Sequence, residues 1–292
     1  MNPAAIAEEE ADLLQILKTI HPDSSNRTLR HMLTQNRVTV DDKPTKKAKH
    51  KVMPGQRVEV HPKPLIEEKG LRGLIHEDSE ILAISKPPGL LTVATDRLEK
   101  DTLHSRVLEY LRGRDEDSWG YIVHRLDKDT SGIILFAKTE DAKANLQSQF
   151  AERKVKRLYT AVIEGEPELD EGVEKHWLRE DRNLRVWIVE KGMGGAKQAI
   201  THWQVIERRG STTRVELDIE TGRRHQIRIQ MAAMGHPIIG DHRHGSQIED
   251  GRLLLHATTL EFTHPNGQQM VLRSATPREF EDEFLIIDED MD

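Results

Sequence analysis

The stretch of this chain best suited to chemistry is His124-Arg125-Leu126-Asp127-Lys128-Asp129-Thr130-Ser131-Gly132, followed by the apolar run IILFAK (133–138). Asp127 stands between Arg125 and Lys128 and close to turn hydroxyls. Nearby cations and hydrogen-bond donors favour the ionised form of a carboxylate. A buried strand directly behind the loop would hold that acid rigidly. An ordinary surface turn is the plain alternative. A second cluster, His236, Asp241, His242 and His244, combines imidazole and carboxylate as zinc sites do, which would suit a metal phosphoesterase. No second ligand group stands at a recognised spacing, so no metal is assigned. The absence of cysteine excludes disulfides, thiolate metal sites and a cysteine nucleophile together. A glycosidase would call for two opposed carboxylates, and only one is placed.

The elements that must position these residues follow from hydrophobic patterning. EILAISK (80–86) is an apolar strand ending at a KPPGLL turn. DTLHSRVLEYLR (101–112) has helical spacing, with Asp101 as its expected cap. GIILFAK (132–138) reads as a buried strand, and 139–153 as a helix capped by Thr139 with acids in its first turn. Strands are expected over 157–164, 198–207, 213–220 and 253–262, and helices over 224–234 and 277–285. Strands and helices mix without strict alternation, which indicates an α+β domain rather than a doubly wound one.

Length allows one large domain or a medium one plus a small one, within 292 residues. No run approaches a membrane span, and the N-terminus lacks the order of a secretory signal, so a cytoplasmic protein is expected. The formal net charge of −7 divides unevenly: 1–23 carries −4, 279–292 carries −8, and 24–278 is left at +5. Within that body, 27–63 alone is +7. Phosphate contacts act over about a Debye length, roughly 8–10 Å, so this local excess outweighs the total. Residues 26–33 have the pattern of a short helix, Val38/Val40 and Val58/Val60 of two strands, and HPKP (61–64) breaks the series as a linker. The expected organisation is an acidic extension (1–23), a small αβ module (24–63), a linker (64–74), a catalytic domain (75–285) and an acidic tail (286–292).

The 24–63 segment resembles the alpha-L RNA-binding module. The match rests on Leu33 through Val40 and Gly55 through Val60, with departures at Asp41–Asp42, where Asn–Gly is usual, and at Gln56, where Asp is usual. HRLDKDTSGIILFAK in turn resembles the signature of RluA-family pseudouridine synthases, in which HRLDxxTSG surrounds the catalytic aspartate. KPPGLL (86–91), KRLYTAVIEG (156–165), TGRRHQIRIQMAAMGHPIIGD (221–241) and LLLHA (253–257) match further motifs of that family in its order, over about 75–280.

The resemblance implies a pseudouridine synthase fold, with a mixed, largely antiparallel sheet and flanking helices. The implied activity is isomerisation of uridine in RNA without a cofactor: the N1 glycosidic bond breaks, the base turns, and C5 joins the same sugar carbon. It implies that Asp127 either attacks the anomeric carbon or removes the adjacent sugar proton. Arg228 would be the base paired with the aspartate, and Tyr159 the aromatic stacked on the target uracil. Leu254 or Leu255 would lie on the base's other face, and Arg125 would fill the gap left by the flipped nucleotide. His124, Arg223 and Arg224 are further candidates for RNA contact, the two arginines at a helix N-terminus. Lys86, Lys154 and Lys156 are weaker ones, expected to be solvated. Gln230 departs from the family's histidine, and His242-Arg243-His244 from its usual aromatic. The implied partner is RNA, ribosomal first and transfer RNA second, with no membrane and a monomeric enzyme. A non-catalytic RNA-binding or assembly factor on the same fold is the other reading, opposed by intact Asp127, Tyr159 and Arg228.

Overall fold

A computed structural model describes residues 3–34, 37–61, 71–95, 98–248 and 251–281. The chain divides into two compact units, residues 1–70 with 109–118 and residues 71–108 with 119–292.

The first unit carries β1 (Ala4–Ile6), β2 (Ala11–Asp12), α1 (Leu13–Ile20), α2 (Asn26–Thr34), β3 (Val38–Val40), β4 (Lys43–Pro44), β5 (Lys51–Val52) and β6 (Arg57–Val60). Its four-stranded sheet has the order β1-β6-β3-β4, and β2 pairs with β5. The acidic extension expected at 1–23 is not an appendage. Leu13, Ile16 and Leu17 of α1 are buried in one core with Leu29, Leu33, Val38 and Val58, while Glu8, Glu9 and Glu10 stay on the surface. Apolar spacing in α1 outweighs the acids beside it, because the helix has a face to bury.

The two departures from the alpha-L pattern prove to be partners. Asp41 and Asp42 both take left-handed backbone (φ 48° and 64°), as a two-residue hairpin between β3 and β4 demands. Asp41 accepts from Gln56 Nε2 at 2.8 Å and from the Arg57 N–H at 2.9 Å. These bonds, the Arg57 amide first, hold the Asp41 carboxyl below the usual range.

The second unit is built on an eleven-stranded sheet, and its elements run β7 (Leu74–Glu77), β8 (Ile81–Lys86), the first half of α3 (Leu103–Arg114, whose residues 109–114 count with the first unit), β9 (Tyr121–Ile122), β10 (Ser131–Ala137), α4 (Glu140–Ala151), β11 (Lys156–Glu164), β12 (Glu171–Glu180), β13 (Val186–Val189), β14 (Lys197–Arg209), β15 (Thr212–Ile219), α5 (Gln226–Ala233), β16 (Leu255–Thr263) and β17 (Gln269–Arg273). The strand order is β13-β12-β14-β15-β11-β16-β10-β8-β7, with β17 added on β16 and β9 on β10. Of these pairings only β10 with β16 is parallel, so the sheet is mixed and largely antiparallel, as expected. Every residue of β10 is buried, which is why it reads as an unbroken apolar run.

One local expectation shifts. Thr102, not Asp101, caps α3: Thr102 Oγ1 accepts from the Ser105 N–H at 3.0 Å and Ser105 Oγ returns the bond to the Thr102 N–H at 2.9 Å. Asp101 instead grips Arg106 through both carboxylate oxygens. Thr139 does cap α4, accepting from the Ala142 N–H at 3.1 Å. Strand β13, VWIV, is too short to show a period, and β12 escapes a sequence reading because charges sit on both faces of EGVEKHWLRE. The pairing tolerates them, and Gly172 leaves room for the Trp203 indole, which a Cβ would meet at 2.7 Å. Most of the linker, residues 282–285 of the expected 277–285 helix and all of the 286–292 tail lie outside the described residues.

Candidate active site

Asp127 lies in the loop between β9 and β10, and three features fix it there. Thr92 Oγ1 donates to the Leu126 carbonyl at 2.8 Å and accepts from the Leu126 N–H at 3.3 Å. Lys86 Nζ donates to the Lys128 carbonyl at 2.8 Å. The residues on either side of Asp127 are therefore pinned from the KPPGLLT segment. Behind the loop, Gly132 has φ 113°, and a Cβ there would sit 2.3 Å from the Ala257 carbonyl oxygen. Only glycine lets β10 approach β16 so closely.

Lys86 is thus misplaced by the expectation that it is solvated and meets RNA. It is 1% exposed, and its ammonium also donates to the Pro87 and Leu90 carbonyls at 2.9 and 2.8 Å. Burial pushes its pKa down to about 7 against the opposing pull of Asp129 and Asp127. Three carbonyl acceptors call for three N–H donors, which the ammonium alone supplies. Its role is to hold the loop.

Asp127 opens on a cleft of about 660 Å³. Tyr159 of β11 and Leu255 of β16 contribute apolar wall, and Leu254, equally buried, does not line it. Burial raises the Tyr159 pKa, with Arg157 pulling it down and Asp127 adding to the rise, so the phenol keeps its proton at neutral pH. Six arginines (125, 153, 157, 223, 224 and 228) share the lining with Asp127, Glu180 and Glu220 as its acids. Arg125 is exposed. Arg223 Nε donates to the Gln198 carbonyl at 3.1 Å, and Arg224 Nη1 lies 3.5 Å from Glu180. Both precede α5, which begins at Gln226 rather than at 224. Arg157 Nε and Arg224 Nε are buried without a hydrogen-bond partner.

Arg228 does not pair with Asp127 as expected. Its Nε and Nη2 donate to the two oxygens of Asp241 at 2.7 and 2.6 Å, and both side chains are buried, Asp241 to 1% exposure. The forked guanidinium matches one carboxylate completely, so Asp127 feels Arg228 only through space. Asp241, counted above as a possible metal ligand, has both oxygens so engaged. Among the described residues no group of three or more histidines and acids is placed to hold a metal ion.

His124 is also used differently. Its Nε2 accepts from the Leu135 N–H at 3.0 Å, and its ring stacks on Phe150 at 4.7 Å. Burial, then Arg157, pushes its pKa down to about 3. It lines the cleft but anchors the strand. Gln230 is wholly buried: its Oε1 accepts from Thr201 Oγ1 at 2.7 Å and its Nε2 donates to the Glu174 carbonyl at 2.9 Å. Gln226 joins Thr221, Thr201 and Ile200 in the same way. The two amides sew α5 to the sheet, so the Gln230 departure belongs to packing. The residue that sequence reading missed is His225, whose Nε2 lies 3.9 Å from Asp127 Oδ2. Its place in HQIR, next to Arg228, was the available signal.

Comparison with known proteins gives one consistent picture. The sequence profile of a family described as RNA pseudouridylate synthase matches residues 80–233. A ribosomal large subunit pseudouridine synthase D of Neisseria meningitidis is 33% identical over 88% of this chain and 73% of its own length. Its counterpart from Yersinia pestis is 32% identical over 94% and 91%. Among solved structures, human RNA pseudouridylate synthase domain containing 4 superposes with a TM-score of 0.63 at 24% identity, covering 74% of this chain and 92% of that one. That likeness concerns the fold. No helix among the described residues is long and apolar enough to cross a membrane.

Proposed function

Because this chain belongs to the RNA pseudouridylate synthase family and is an isomerase acting on RNA, we propose that its substrate is large-subunit ribosomal RNA and that Asp127 carries the reaction. The supporting observation is the Asp127 carboxylate, whose neighbours in the chain are pinned on both sides, at the wall of a cleft lined by six arginines. Arginine forks and unpartnered buried N–H groups suit phosphate oxygens, and the acid faces the space where a ribose would enter.

In this reading the target nucleotide leaves its stack, at a cost of a few kcal/mol, and its base enters between Tyr159 and Leu255. Asp127 attacks the anomeric carbon or takes the adjacent sugar proton, and the N1–C1′ bond breaks. The uracil turns, C5 bonds to C1′, and the C5 proton departs while N1 gains one. Nothing is oxidised or reduced, and no cofactor is required. Tyr159, holding its proton, stacks on the base. Arg228, fixed by Asp241, supplies a permanent positive field for Asp127. Arg125, at the rim, occupies the vacated stack.

Substrate choice rests on the relatives, whose names specify the large ribosomal subunit; the transfer-RNA alternative draws no support from them. The first unit acts as an accessory RNA-binding module, consistent with exposed Lys43, Lys46, Lys47 and Lys49 on one segment. The enzyme works as a monomer in the cytoplasm. Mapping pseudouridines in ribosomal and transfer RNA from cells with and without this chain tests the reading. Loss of one or more sites in large-subunit RNA is expected, and loss confined to transfer RNA would overturn the substrate assignment.

A further inference from the structure

His225 caps α5 with unusual backbone. Its φ of 53° is left-handed, and its side chain makes no bond to the helix N–H groups it should cap. A non-glycine residue keeps such a conformation where its surroundings over-determine it. Here the ring points elsewhere. Its Nδ1 lies 3.1 Å from His244 Nε2, with the two rings edge to face at 88°, and its Nε2 faces Asp127 Oδ2 at 3.9 Å. His225 is 8% exposed.

We propose that His244 and His225 form a positioning relay for Asp127: His244 donates to His225 Nδ1, which leaves the His225 proton on Nε2, directed at the carboxylate. This rests on the reading of Asp127 as the reacting acid. The opposite tautomer would set an imidazole lone pair against the carboxylate oxygen, so the sequence of donors runs one way. Burial first, then Arg228, His244, Arg243 and Arg224, push the His225 pKa down to about 3, and the ring carries one proton only. A separation of 3.9 Å is too long for a formed hydrogen bond, but such contacts tighten when substrate closes a site. The bond then fixes Oδ2 and leaves Oδ1 to face the sugar. Arg228 directs its Nε and Nη2 to Asp241, and its effect on Asp127 is through space.

The test compares turnover of uridine-labelled ribosomal RNA by single variants and the double variant. His225→Leu lowers kcat about 10–100-fold, the range of a lost hydrogen bond to a charged group, with KM unchanged. His225→Gln, which carries an N–H near the Nε2 position, recovers most of that loss. His225→Asn, which tolerates left-handed backbone but is too short to reach Asp127, does not. His244→Ala lowers kcat less, and His225→Leu with His244→Ala is no worse than His225→Leu alone, because both act through one bond. Histidine nitrogen NMR shows the Nε2-protonated tautomer at His225 in the wild-type protein and its loss of preference in His244→Ala. Unchanged kcat in His225→Leu, or full activity in His225→Asn with loss in His225→Gln, overturns the relay. Full turnover by Asp127→Asn, measured alongside, would instead reject the parent reading, so the two failures are distinct.

Discussion

Asp241→Asn is the substitution whose consequences the structure defines most closely. Arg228 gives both fork nitrogens to Asp241 at 2.7 and 2.6 Å, and neither side chain reaches solvent appreciably. Removing one partner of a buried ion pair leaves the other charge uncompensated, at about 3–5 kcal/mol. Asparagine keeps the shape and one acceptor, which returns about 1 kcal/mol. The net loss of about 2–4 kcal/mol lowers the melting temperature of a unit this size by roughly 5–15 °C. The freed guanidinium also loses its fixed direction beside Asp127, and turnover falls by about 10-fold or more even well below the melting point. Turnover is read as release of tritium from C5-labelled uridine in RNA, since forming the new bond expels that hydrogen. Replacing both partners, Arg228→Met with Asp241→Leu, restores most of the melting temperature because a well-packed apolar pair substitutes for a buried ionic one, while turnover stays lost. An Asp241→Asn protein melting within about 2 °C of wild type would show that Asp241 is not what compensates Arg228, and the reasoning would fail.

Two further outcomes follow from other parts of the molecule. Lys46→Ala, Lys47→Ala and Lys49→Ala together should weaken RNA binding and reduce the slope of log K against log salt by about 2–3, at about 0.7–0.9 per phosphate contact; a slope that does not move dismisses the module as an RNA contact. His256 is 1% exposed and held by Ser131 and Ser274. Burial, then Arg252, pushes its pKa from 6.5 to about 4. The unfolded chain therefore takes up this proton at higher pH than the folded one, so the stabilisation is complete above pH 6.5 and drains away as pH falls toward about 4. At most about 3 kcal/mol is involved. Urea midpoints across that range should fall with acidification, and more shallowly in His256→Gln; parallel slopes in the two proteins would refute the assignment.

The sequence made the Asp127 loop, the buried strand behind it and the start of α4 legible, because each is local: one motif, one apolar run, one cap at Thr139; the mixed sheet came only with the family resemblance. What escaped it was long-range. Lys86 looked solvated because nothing beside it in the chain announces three inward carbonyls. Arg228 was assigned to Asp127, and its actual partner, thirteen residues on, was read as part of a histidine cluster. Leu13, Ile16, Leu17 and Ile20 have helical spacing that could have revealed α1, yet the adjacent run of acids dominated the reading. Strand β12 carries charge on both faces and offers no alternation to detect, and β13 is only four residues, VWIV, too short to show a period. His225 stood inside a recognised motif, but only its left-handed backbone turns it toward the acid.

The most direct test of the account is single-turnover tritium release by Asp127→Asn, measured at RNA concentrations where binding of that variant is shown to be saturated. Asparagine preserves size and hydrogen-bonding reach while removing the charge. The account predicts bound RNA and no released tritium. Product formed at the wild-type rate would place the reacting group elsewhere in the cleft.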